Sequence, residues 1–68
     1  MVISEGTKVI LKEEPRFLRQ VGRPITTSEG LVLYPVGRDL DFVSAAQMSF
    51  VYLTAAEIER DYYFIAEG

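Results

Sequence analysis

Apolar and polar residues alternate along much of this chain, and groups of turn formers interrupt the alternation every few residues. Over residues 7–13, Val9 and Leu11 are separated by Lys8, Ile10 and Lys12, the period-two signature of a strand with one covered face. Residues 14–22 carry helix punctuation instead: acids ahead of Pro15, which suits a first helical position, and Gly22 as a stop. A helical turn or two is expected there, with an irregular excursion as the alternative, because so short a stretch cannot hold a helix on propensity alone. Residues 23–30 are dense in turn formers and lead into Leu31-Val32-Leu33-Tyr34, apolar at every position. That run predicts a central strand covered on both faces, ended by Pro35, which has no N–H to give a ladder. Leu40 and Phe42 alternate with Asp39 and Asp41, predicting the second arm of a hairpin that turns at residues 36–39.

The chain from residue 44 onward carries two capping-box spacings. Ser44-Ala45-Ala46-Gln47 predicts a short helical turn, and a strand follows over residues 48–53. Thr54-Ala55-Ala56-Glu57 repeats the box with better residues, and Ala55, Ile58 and Tyr62 then recur at helical spacing. Prolonging this helix to Ile65 would place Phe64 on the charged side with Arg60 and Asp61. The reading adopted ends the helix near Asp61 and makes residues 62–66 a closing strand, the rival being a longer helix with Phe64 exposed.

Four or five short strands and one short C-terminal helix define the expected fold class: mainly β within α+β, a small curled antiparallel sheet or a barrel of the SH3-like kind. The likeness is one of architecture alone; no residue pattern reaches a family signature, and fold at this level assigns no function. Sixty-eight residues make a single small domain, residues 1–68. Such a chain covers only about 60% of its unfolded surface on folding, so its core is thin.

Composition narrows the chemistry. The chain has no cysteine and no histidine, which removes disulfides, thiolate and imidazole metal sites, cysteine nucleophiles and histidine acid–base relays. Asp39 with Asp41, and Glu57 with Asp61, are the carboxylate pairs that could hold a divalent cation or split their pKa values. No Gly-rich phosphate loop or calcium-loop spacing accompanies them, and solvated charge is the better account. The expectation is a protein that is not an enzyme and takes no cofactor. Its apolar runs are far too short for a membrane span, and no secretory signal pattern opens the chain, so a cytoplasmic address is expected.

Net charge is −3, unevenly divided. Residues 1–38 hold six basic and four acidic side chains, +2, whereas residues 39–68 hold one basic and six acidic ones, −5. This polarity can orient a charged partner or a second copy of the chain. Arg16, Arg19 and Arg23 bracket Phe17, which is what phosphate contact with base stacking uses, so a nucleic-acid-associated regulator is the alternative function. Against it stands the acidic total, since affinity scales with the phosphates neutralised. Four Phe, four Tyr and five Arg against two Lys match instead the residue bias of interface centres. The leading expectation is therefore a non-enzymatic protein–protein interaction module, an adaptor, accessory subunit or small inhibitor that could be homo-oligomeric. Its contact surface would be an aromatic patch of Tyr52, Tyr62, Tyr63 and Phe64. Tyr62 and Tyr63, adjacent on a strand, would point to opposite faces.

Overall fold

The computed structural model describes residues 3–38 and 50–65. Six strands and one helix follow in the order β1 (Lys8–Leu11), β2 (Leu18–Val21), β3 (Ile25–Thr26), β4 (Val32–Gly37), β5 (Val51–Leu53), α1 (Ala55–Asp61) and β6 (Tyr62–Phe64). The strands form one antiparallel sheet in the order β3-β4-β2-β1-β6, with β5 added to β4. Among the described residues no ladder joins β5 to β6, so the sheet is curled but not closed into a barrel. The mainly β fold with one short C-terminal helix matches the alternation of the sequence. The strand count is higher than the four or five expected.

The extra strands come from residues 14–26, where the helix reading is wrong. Residues 15–17 make a turn and Leu18–Val21 pairs with β1 through Lys8↔Gln20, Val9↔Arg19 and Ile10↔Leu18. Pro15 therefore serves a turn rather than a helix start. Tertiary pairing has overridden local punctuation, as it does wherever a segment is too short to nucleate a helix. From β2 into β3 the pairing with β4 moves from Val21↔Val36 to Ile25↔Leu33, four residues against three. One residue is thus extra at Gly22-Arg23-Pro24, the count of a β-bulge.

Pro35 does not end β4. It lies inside the strand opposite Tyr52, and its carbonyl accepts from the Gly22 N–H at 2.8 Å. The one ladder bond it cannot donate would have gone to Gly22, where the bulge already disturbs the pairing, so little is lost. The expected double cover of Leu31 to Tyr34 is also displaced. Leu31 and Val32 are exposed near the hairpin tip, whereas Pro35, Val36 and Gly37, two turns of pleat further on, are the buried positions. The turn itself closes through Gly30 N–H to the Thr27 carbonyl, with Gly30 at φ +85°.

The core lies on one face of the sheet and is roofed by α1. Val9, Val21, Val36, Ile58 and Tyr62 are buried together with Ile3, and Leu11, Tyr34, Leu53, Ala55 and Phe64 pack around them. Thr54 caps α1 with the expected box: its Oγ1 accepts from the Glu57 N–H at 3.3 Å while Glu57 Oε1 accepts from the Thr54 N–H at 2.9 Å. The helix ends at Asp61 and the chain passes directly into β6, as the position of Phe64 required. The hairpin arm over residues 39–43, the helical turn at Ser44 to Gln47 and the start of the strand at residue 48 lie outside the described residues.

Candidate protein-contact surface

Alternation along each strand separates a core face from an outer face. Val9, Val21 and Val36 mark the core face, so Lys8, Ile10, Leu18 and Gln20 must stand on the other. On β6, Tyr62 and Phe64 oppose Leu11 and Val9 on the core side, and Tyr63 opposes Ile10 on the outer side. Register then aligns Leu18, Ile10 and Tyr63 in one row across three strands. Leu18 is 48% exposed and Tyr63 58%, with Ile10 half-buried between them. Ile65 continues the same face one pleat beyond Tyr63, and its N–H donates to the Lys8 carbonyl. Cross-strand apolar neighbours at this spacing touch, so the row is a contiguous apolar strip rather than scattered single residues.

Two lysines flank Ile10 on that face. Lys8 stands opposite Gln20, and Lys12 Nζ lies 5.2 Å from the Tyr63 ring centroid while donating to the Arg60 carbonyl at 3.0 Å. Lys12 thereby ties the last turn of α1 to β1, with its own N–H bonded to the Asp61 carbonyl. Its ammonium thus sits at the carbonyl end of the helix, where positive charge is favoured.

The four aromatics expected to form one patch are not brought together. Tyr62 is buried in the core and Phe64 packs against it. Tyr63 alone of the β6 residues faces out. Tyr52 is exposed on β5, with β4, β2 and β1 between it and β6, and meets the Phe50 ring edge-on at 6.0 Å. The alternation of Tyr62 and Tyr63 is as expected of a strand, and it is this alternation that divides the patch. Ile10, Leu18 and Ile65 escaped the sequence reading. Their signal is Ile10 itself, an apolar residue at an outward position between two lysines.

The arginines are likewise separated. Arg16 is exposed in the turn before β2 and Arg23 is exposed at the bulge. Arg19 turns to the core face beside Val9 and Val21 in register, its side chain only 17% exposed. Its Nη2 reaches Glu14 at a long 3.4 Å, and its buried Nε has no hydrogen-bond partner. Two guanidinium groups lie over the Phe17 ring, that of Arg38 at 3.9 Å and that of Arg16 at 5.9 Å from its centroid.

Titratable groups around α1 have structural explanations. Hydrogen bonds from the Thr54 backbone and then its side chain hold the Glu57 carboxyl below the usual carboxylate range. The bidentate Arg60 guanidinium does the same for Asp61. Burial raises the Tyr62 phenol above its ordinary value, an effect the nearby Arg19 charge partly opposes. Glu57 and Asp61 thus each have a partner other than one another. Among the described residues no cluster of acidic side chains is placed to hold a metal ion, and no helix is long and apolar enough to cross a membrane. Asp39 and Asp41 lie outside the described residues.

No protein-family model matches the chain, and no curated protein or solved structure matches it.

Proposed function

We propose that this protein is a small non-enzymatic interaction module whose working surface is the outer face of β2, β1 and β6. The observation that carries this reading is the registered row Leu18, Ile10, Tyr63, extended by Ile65, standing on the face opposite the core. Exposed apolar surface costs free energy in water at roughly 25 cal/mol per Å², and covering a contiguous strip returns it. The fitting partner is a protein surface with an apolar centre and an acidic group to meet Lys8. Tyr63 is the anchor: a large ring with a polar end, immobilised at low entropic cost. A cytoplasmic setting, suggested by the cysteine-free composition, belongs to the same proposal.

The test is a photo-crosslinking amino acid at Tyr63 in the native cell, with and without Leu18→Ser. Expected is a discrete protein adduct that Leu18→Ser reduces at least about tenfold, the discrimination of some 1.4 kcal/mol at a buried contact. Equal capture by the Leu18→Ser chain, with its fold intact by circular dichroism, would overturn the assignment of this face.

A further inference from the structure

Going beyond the outer face itself, we infer that the free edge of β6 pairs with the β6 of a second copy of this chain, which continues the sheet and its outer face across the junction. The backbone of β6 carries this inference. Lys12 N–H donates to the Asp61 carbonyl at 2.9 Å and Ile65 N–H to the Lys8 carbonyl at 3.0 Å. With the register Ile10↔Tyr63, these bonds make Ile10 and Tyr63 a hydrogen-bonded pair. Their neighbours Val9 and Phe64 are then a non-bonded pair, so the N–H and C=O of Phe64 point away from β1. Among the described residues β1 is the only strand that β6 pairs with. At the start of β6 the Tyr62 N–H is spent on the Ile58 carbonyl, which leaves Phe64 as the first residue with both backbone groups available on the outer edge.

Proteins protect such edges with proline, charge or a bulge, and Tyr62–Phe64 contains none of these. A second β6 laid antiparallel about a two-fold axis at Phe64 satisfies both groups twice over, each Phe64 N–H donating to the Phe64 carbonyl of the other copy. The same axis fixes the side chains. Tyr63 of one copy faces Ile65 of the other, and the reverse, on the outer face where they are 58% and 37% exposed. The row Leu18, Ile10, Tyr63 then runs on into Ile65 and Lys8 of the second copy, and the two half-buried Phe64 rings extend the core across the axis. A foreign strand could supply the backbone bonds, but the chain's own β6 supplies the apolar residues at the spacing that this edge requires. The contact is small, so the dimer is weak, with Kd on the order of tens of micromolar.

A chain of 68 residues is within reach of chemical synthesis, which allows the Phe64 amide to be N-methylated without changing a side chain. Because that N–H bonds nothing in β1, the fold should persist. Sedimentation equilibrium up to about 500 μM should show a monomer–dimer equilibrium for the unmodified chain. The N-methyl-Phe64 chain should associate at least about tenfold more weakly with an unchanged melting temperature. Should N-methylation disturb folding, hydrogen exchange in the unmodified protein decides: protection of the Phe64 amide must rise with protein concentration. A strict monomer with concentration-independent exchange overturns the inference; if Tyr63 still crosslinks a different protein in a Leu18-dependent way, the contact-surface reading survives it. A dimer undiminished by N-methyl-Phe64 but lost with Tyr63→Ser would overturn the edge register and keep the face as the contact. A dimer that persists in both would overturn the inference and the face together.

Discussion

Thr54 and Glu57 show how much a single local spacing can determine. The box needs only two side chains three residues apart and their own backbone, so nothing distant can override it, and it was legible in the sequence for that reason. Thr54→Ala removes the acceptor for the Glu57 N–H but leaves the Thr54 backbone bond to the carboxylate. The expected cost is about 1 kcal/mol, read as a lower thermal midpoint. Arg19 is the opposite case. A charged side chain on a core face contradicts alternation, and only the pairing with Val9 and the neighbouring Tyr62 phenol reveal why it is there. Tyr62 itself carries a pH signature. Its folded pKa lies above its unfolded one, so as pH rises the unfolded chain loses the phenolic proton first. The stabilisation is fully present below the ordinary phenol value of 10.0 and is lost as pH climbs through the raised folded pKa. Tyr62→Phe should therefore melt with a flatter alkaline limb than the parent between about pH 9 and 11. Parallel alkaline limbs would remove Tyr62 as the cause.

At the scale of elements, legibility depended on whether a segment's partner was near in sequence. β1 and α1 declare themselves by their own periodicity, and both stand where the pattern put them. β2 does not, because Leu18 is exposed while Arg19 is covered, inverting the usual apolar-in pattern; Pro15 and Gly22 then read as helix ends. Pro35 misled in the same manner, its lost bond being harmless only because the bulge at 22–24 lies opposite, a fact that no local window contains. The aromatic patch is divided for a related reason. Composition groups Tyr52, Tyr62, Tyr63 and Phe64, whereas the exposed apolar row is assembled by register from β2, β1 and β6. The hairpin between β3 and β4 offers a further test. Gly30 sits at φ +85° with nothing near enough for a Cβ to strike. Gly30→Ala should cost about 1 kcal/mol from backbone strain alone, and Gly30→Asn distinctly less, since asparagine tolerates the left-handed region. Equal melting temperatures for Gly30→Ala and the parent would mean that the turn adopts another conformation.

For the whole molecule the decisive feature is that one sheet presents two apolar faces and that, among the described residues, only one of them is roofed. Ile58, fully buried on α1, closes the core face that an open sheet cannot close by itself. On the outer face Leu18, Ile10, Tyr63 and Ile65 have no such roof among the described residues. A domain this size has only a few kcal/mol of stability to lose, so the two faces should respond to truncation in opposite ways. Ile58→Ala removes buried methyl groups and leaves a cavity, at a cost of about 2–5 kcal/mol, enough to unfold much of the population at 37 °C. Tyr63→Ser, at a side chain more than half exposed, should change stability by no more than about 1 kcal/mol and yet abolish association. Denaturant titration and sedimentation on the two variants separate the possibilities. If Tyr63→Ser destabilises as Ile58→Ala does, the outer face is a second core rather than a contact surface. If it leaves both stability and association intact, the row is inert surface and binding must be sought at Val51 and Tyr52 on β5 or at the hairpin tip, the other exposed large apolar groups among the described residues.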